Sequence, residues 1–417
     1  MSADPMFVVQ GGSRLSGTIR VPGAKNSALK LLAASILTEA KVVLRDVPAI
    51  ADVPVMIDLL RSIGVDVTHE SSTVTLQTSA DPNVSPDPEQ MARIRASISL
   101  LGPLVGRLGE ARLALPGGDR IGKRAIDLHL DGLRQMGAEV SETDDEVHVR
   151  ADRLHGARIT LEFPSVGATE NLVMAAVRAD GVTVIDNAAR EPEIQDLCRM
   201  LVGMGATIDG IGSATVTIRG TRDLSGITWT VVPDRIEVGT WIVTAALAGD
   251  EVVIDNVRTS DLTLPLAKFR AAGVDIDEEL DRLVVRGSTI QPTNVVTLPY
   301  PGFPTDMQPQ MMVLLTQAHG ASRCTENVFE SRFAFVDELA RMGADVKIDG
   351  HHAIIRGPTS LHGASLKGLD VRAGAAGVIA GLIADGETIV TDIHHIERGY
   401  EHFVDRLRSL GADLERR

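Results

Sequence analysis

Cysteine is nearly absent from this 417-residue chain, with Cys198 and Cys324 the whole complement. Two thiols, each inside an apolar stretch, exclude a disulfide framework and a multi-cysteine metal site, and suit reduced, buried side chains. Aromatic residues make up 3% of the sequence, too few to build stacking platforms for nucleic-acid bases. Basic residues are outnumbered, 41 against 56 acidic ones, and the net charge of −15 repels nucleic acid and anionic membranes. No apolar run approaches the ~18 residues of a membrane span. The opening "MSADPMFVVQ" carries an acid and a proline where a secretory signal has basic and then apolar residues. These absences point to a cytoplasmic globular protein whose anion-binding groups are concentrated locally.

What the chain does have is repetition. The pattern apolar-Gly-(Ala/Val)-x-apolar recurs as "SIGVDV", "QMGAEV", "GMGATI", "AAGVDI", "RMGADV" and "SLGADL", with glycines at 64, 137, 205, 273, 343 and 411, 68 to 73 residues apart. In each copy the Gly reads as the end of a helix and the β-branched run after it as a strand. Between successive signals lies an apolar stretch such as "ATENLVMAAV" or "AGAAGVIAGLIA". These stretches have no polar face, so as helices they must be buried on nearly all sides.

The spacing predicts an α/β protein of six β-α-β-α-β-β repeats, three per domain, each with one buried and one outer helix. The sixth copy runs out after "GADLERR", and "FVVQGGSRLSG" matches the strand it lacks. The expected division is therefore residues 23–232 for one domain, and 1–22 plus 233–417 for the other, closed by the N-terminal strand. Each domain is an inside-out, barrel-like arrangement with helices inside and sheets outside, and a ligand cleft is expected between them.

Aligned on one another, the repeats place polar residues at the starts of their buried helices: Lys25 and Asn26, Arg95, Ser165, Asp234 with Arg235 and Glu237, Asp306, and Asp370 with Arg372. Capping accounts for Ser165 and the aspartates. It does not account for Lys25, Arg95 or Arg372, because a cation at a helix N-terminus is unfavourable by ~0.3–1 kcal/mol unless an anion offsets it. Most copies also carry Asp or Asn after the next strand: Asp46, Asn187, Asn256, Asn327 and Asp392. The second copy instead reads "ALPGGDRIGKRAIDLHL", a glycine-rich loop with Asp119, Arg120, Lys123, Arg124 and Asp127. The paired histidines 351/352 and 394/395 read as strand neighbours on opposite faces, which argues against a metal site.

The segments "GAKNSALK", "LGPLVGR", "LPGGDRIGKRAIDLH", "PSVGATEN", "NAAREPEI", "PDRIEVGT", "FPTDMQPQ", "TENVFESRF" and "HIERGYE" resemble, in order and from Phe7 to Leu414, the UDP-N-acetylglucosamine 1-carboxyvinyltransferases, a family of enolpyruvyl transferases in peptidoglycan synthesis. The resemblance implies transfer of the enolpyruvyl group of phosphoenolpyruvate to the 3-hydroxyl of UDP-N-acetylglucosamine, with release of phosphate and no metal or redox cofactor. It also implies roles for residues. Lys25, Asn26, Arg124 and Arg398 would hold phosphoenolpyruvate, with Arg372 near its carboxylate. The UDP-sugar would meet Asn26, Arg95, the run Arg124, Ala125, Ile126, Asp127 and Leu128, the run Phe163, Pro164, Ser165 and Val166, and Asp306 and Val328. Asp306 would take the hydroxyl proton, and Arg332 would support the site.

The sequence departs from its family at three of these positions. Asp119 stands where most members have the Cys that donates a proton and is alkylated by fosfomycin, and Phe163 and Ala125 stand where many have Lys and Pro. As general acid at neutral pH, Asp119 needs a pKa raised by ~3 units, about 4 kcal/mol of differential environment. An enolpyruvyl transferase with another nucleotide or nucleotide-sugar acceptor is the alternative reading. A binding protein without turnover is a further one, which the two carboxylates Asp119 and Asp306 disfavour.

Overall fold

The computed structural model describes residues 5–118 and 126–417. Asp119, Arg124 and Ala125, and with them Arg120 and Lys123, lie outside the described residues. The chain forms two compact units. The N-terminal unit comprises Gly23–Gly118 and the described part of Arg124–Val232, and the C-terminal unit the described part of Met1–Pro22 with Pro233–Arg417.

Each unit is built around three central helices. In the N-terminal unit these are α1 (Lys25–Ala34), α2 (Leu101–Leu108) and α3 (Val166–Ala176); in the C-terminal unit they are α4 (Arg235–Ala248), α5 (Gln308–Thr316) and α6 (Val371–Ile383). Nearly every residue of α4, α5 and α6 is buried, and the three pack on one another. Apolar composition all round leaves them no stable place except the interior. The same logic forces close packing in the N-terminal unit, where a Cβ added at Gly102 of α2 would stand 2.2 Å from the Asn171 carbonyl oxygen of α3.

The sheets cover these helices. Arg158–Thr160 runs parallel to Val182–Asp186 across the α3 crossover; Val182–Asp186 then pairs antiparallel with Thr215–Arg219, which pairs with Thr207–Asp209. A parallel neighbour requires such a crossover, and a helix supplies it. Among the described residues this four-strand pattern recurs in five sheets, and the second repeat has three strands, Glu110–Ala114, Glu146–Arg150 and Glu139–Glu142.

Strands distant in sequence complete the units. Phe7–Gln10 lies antiparallel between Glu387–Thr391 and Leu414–Arg416, and Leu15–Arg20 runs parallel to Gly249–Asp255. In the N-terminal unit Ile227–Thr230 runs parallel to Val42–Arg45, so the last strand joins the first repeat.

All six repeat glycines have positive φ, from 82° at Gly273 to 110° at Gly205, the left-handed conformation that ends a helix. The recurrent Asp and Asn are structural too. Asp46, Asn187, Asn256 and Asp392 have φ between 53° and 63°, and the Asn187 and Asn256 amides donate to the carbonyls of Leu161 and Val21 at 2.8 and 2.7 Å. Both cysteines are free and buried, and burial pushes each thiol up to about 12. The histidine pairs behave differently from the strand expectation. His394 and His395 lie in the short helix His394–Glu397, and the rings within each pair sit 4.1 and 4.0 Å apart because neither pair occupies a regular strand interior.

Candidate active site

The N-terminal unit gathers its polar residues at the first turns of its central helices. Lys25 opens α1, and its Nζ lies 2.8 Å from Asp52 Oδ2 with both side chains buried. The electrostatic cost of a cation at this helix end is therefore offset within the protein, by a carboxylate the sequence pattern did not single out. One turn on, Lys30 donates to the Asn26 carbonyl at 3.0 Å and lies 3.5 Å from Glu170 Oε2 of α3. Burial pushes Glu170 up to about 7, against the pull of Lys30 and with the help of Glu193 and Glu191. Glu191 stands at the N-cap position of the outer helix Pro192–Gly203 without a side-chain capping bond, Glu193 lies in its first turn, and both are buried rather than solvated.

Arg95 begins a 3-10 turn, Arg95–Leu100, that leads into α2. Ile126 caps the helix Asp127–Gln135, and its next residues, Asp127 and Leu128, form the first turn. Phe163 and Pro164 lead to Ser165, whose hydroxyl caps α3 by accepting from the Ala168 amide, and Val166 is the first helical residue. These three segments meet through His129, a residue the sequence reading did not select. Its Nδ1 accepts from Asn171 Nδ2 at 3.0 Å, and its ring fills the space beside Gly167, where a Cβ would come within 3.1 Å. Burial, with the Arg95 charge, lowers His129 to about 3, so the ring is neutral and carries its proton on Nε2. Phe163 is 43% exposed, a large apolar surface in a chain with few aromatics.

The C-terminal unit holds a denser ionic cluster. Asp306 lies in the turn Thr305–Met307 that leads into α5. Its Oδ1 accepts from Arg332 Nη2 in a short contact, and its Oδ2 accepts from Arg372 Nε at 3.3 Å. Arg332, 2% exposed on its side chain, also reaches Thr305 Oγ1 and Asp370 Oδ1, both at 3.3 Å. Asp370 caps α6, and Arg372 follows in that helix's first turn. Burial works against the Arg372 charge, but Tyr400, Asp306 and Asp234 outweigh it and hold the guanidinium protonated. Arg372 Nη1 has no hydrogen-bond partner among the described residues, although the side chain is buried. A buried charged donor left unpaired is costly unless a partner reaches it.

Val328 and Arg398 complete the expected set in this unit. The Val328 amide donates to Glu326 Oε1 at 2.8 Å, and Arg398 closes the short helix His394–Glu397. Glu326 was also missed by sequence reasoning. It is buried, and it accepts from Thr297, Thr305, Val328 and Phe329, fixing the Val328 segment to the turn that carries Asp306. Among the described residues no group of His, Cys, Asp and Glu could hold a metal ion, and no helix is long and apolar enough to cross a membrane.

Comparison with known proteins adds three findings. Residues 9–407 match the family described as EPSP synthase (3-phosphoshikimate 1-carboxyvinyltransferase). Two relatives of the same printed name, UDP-N-acetylglucosamine 1-carboxyvinyltransferase, cover nearly the whole chain. The Corynebacterium efficiens protein is 49% identical over 411 residues, 98% of each chain. The Carboxydothermus hydrogenoformans protein, numbered 2, is 48% identical over 413 residues, 98% of this chain and 99% of its own. Among solved structures, the enolpyruvyl transferase NikO from Streptomyces tendae superimposes with a TM-score of 0.91 at 27% identity, covering 99% of both chains.

Proposed function

Since the chain belongs to the UDP-N-acetylglucosamine 1-carboxyvinyltransferase family, we propose that it transfers the enolpyruvyl group of phosphoenolpyruvate to the 3-hydroxyl of UDP-N-acetylglucosamine, the committing step of peptidoglycan synthesis. The observation that carries this reading is likeness along 98% of the chain to relatives of that name. The buried, unpaired Nη1 edge of Arg372 supports it independently, as a place for a small anion.

The reaction is an addition followed by an elimination. The sugar oxygen bonds to C2 of phosphoenolpyruvate while a proton goes to the methylene carbon and the hydroxyl proton goes to a base. The bond to the phosphate oxygen then breaks, and the new methyl group returns one proton, leaving an enol ether and inorganic phosphate. Asp119 delivers the first proton and Asp306 takes the one from the hydroxyl. Lys25, Arg124 and Arg398 neutralise the phosphate, and Arg372 meets the carboxylate.

Asp306 is held between two guanidiniums, accepting from Arg332 at Oδ1 and from Arg372 at Oδ2. Asn26, Arg95, Arg124 to Leu128, Phe163 to Val166, Asp306 and Val328 contact the UDP-sugar. Both substrates are phosphorylated metabolites, and the enzyme works in the cytoplasm with them. Phe163, an exposed aromatic in place of the family's common Lys, favours a second reading in which another nucleotide or nucleotide-sugar is the acceptor.

A phosphate-release assay tests both. Release should require both substrates together and should persist in fosfomycin, while Asp119→Cys should become sensitive to the drug. Inactivation of the wild-type protein with fosfomycin attached at residue 119 would sink the role given to Asp119. Faster release with a different nucleotide acceptor would replace the first reading with the second.

A further inference from the structure

Tyr400 has no part in the chemistry above, yet it sits at the hub of the C-terminal unit. The side chain is 2% exposed. Its hydroxyl lies 2.8 Å from Thr240 Oγ1 of α4 and 3.1 Å from Gln310 Nε2 of α5, and the Arg372 guanidinium of α6 stands over its ring, 5.3 Å from Cζ to the centroid. One phenol thus touches a residue from each of the three central helices. All three contacts come from the N-terminal halves of helices that are otherwise apolar.

The proton positions follow from the partners. Thr240 donates to the Ile236 carbonyl at 3.2 Å and accepts from Gln310 Nε2 at 3.0 Å, so the Tyr400 O–H donates to Thr240. The phenol oxygen in turn accepts from the Gln310 amide, so two bonds fix the ring whose face the Arg372 guanidinium covers. Arg372 is held from two sides, by Asp306 at Nε and by the Tyr400 ring face, while Nη1 stays unpaired. Packing alone does not require this hydroxyl, because a phenylalanine would fill the same space beside Phe403, whose ring centroid lies 4.9 Å away.

We propose that Tyr400 is a positioning residue for the anionic substrate: its hydroxyl bonds to Thr240 and Gln310 fix the ring on which the Arg372 guanidinium rests, so that the Nη1 edge is presented to the carboxylate of phosphoenolpyruvate. The inference rests on the reaction assigned above. It separates two parts of Tyr400, the ring that carries the guanidinium and the oxygen that fixes the ring.

The test compares the full-length wild-type protein with Tyr400→Phe and Thr240→Val, by phosphate-release kinetics and by calorimetric binding of phosphoenolpyruvate. Tyr400→Phe should raise the KM and Kd for phosphoenolpyruvate about tenfold, the scale of the one to two hydrogen bonds that fix the ring, with the KM for UDP-N-acetylglucosamine held within about twofold. Thr240→Val should move phosphoenolpyruvate the same way by less, and it carries the test should Tyr400→Phe fail to fold. A wild-type protein that turns over while both variants keep its phosphoenolpyruvate KM would overturn the inference and leave the reaction standing. A wild-type protein that releases no phosphate would overturn the reaction instead; calorimetry then decides the role of Tyr400, and unchanged affinity in the variants overturns it.

Discussion

Arg332 Nη1 reaches Asp370 Oδ1 at 3.3 Å, and that same oxygen accepts the Arg372 and Ala373 amides at 2.7 and 3.1 Å. One atom therefore caps α6 and anchors the arginine that holds Asp306. Substitution can separate the two tasks, because Asn caps a helix about as well as Asp but carries no charge. Asp370→Asn should keep the melting temperature within a few degrees and lower kcat by ~10–100-fold, as Arg332 loses one of its two counter-charges. Asp370→Ala should lose the same activity and a further ~1 kcal/mol of stability with the cap. Kinetics and thermal melts on the two variants check this, and equal stability would show that the cap contributes nothing.

Glu326 supports a second prediction. Its Oε2 accepts from Thr305 Oγ1 at 3.0 Å, and Thr305 in turn accepts from Arg332 Nε at 3.3 Å. Glu326→Gln would turn an amide donor toward Thr305, in competition with Arg332, and weaken the charge-assisted bonds to the Val328 and Phe329 amides. The expected result is a rise of about fivefold or more in the KM for the UDP-sugar, the scale of one to two weakened hydrogen bonds, together with a lower kcat. A change in kcat alone would detach Val328 from sugar binding.

The repeat was legible because its signals are local. A glycine with positive φ at Gly64 or Gly411, or a left-handed Asn at 187 or 256, imposes the same backbone wherever it stands, so the pattern survives in sequence. The buried helices were legible for a similar reason, since a stretch such as Val371–Ile383 offers no face to water. The partners of the site residues were not legible. Lys25 meets Asp52 across a strand and a turn, and His129 meets Asn171 from another repeat. Glu326 resembles any other charged residue in the chain until folding sets Thr297, Thr305 and two amides around it. Periodicity identifies which face is buried, but which buried charges meet depends on how the repeats pack.

Two buried titrating groups, Glu170 in α3 and His129 beside it, give a pH signature with opposite signs. Glu170 titrates at about 7 in the fold against 4.5 for an ordinary carboxyl, so between those values the folded state holds a proton the unfolded state has lost. Its contribution is complete below pH 4.5 and is lost as the pH rises to 7, by about 3 kcal/mol in total. His129 titrates at about 3 in the fold against 6.5 for a free ring, so the unfolded state binds the extra proton. Its contribution is complete above pH 6.5 and is lost as the pH falls toward 3, by about 1.4 kcal/mol per pH unit. Between pH 4.5 and 6.5 the two slopes cancel, and neither shows in the wild-type protein. Substitution uncovers them. The stability of Glu170→Gln relative to wild type should increase with pH across that window, and that of His129→Gln should increase as the pH falls. Urea unfolding at pH 4.5, 5.5 and 6.5 measures both differences, and variant curves that stay parallel to wild type would mean that neither group titrates as its burial requires.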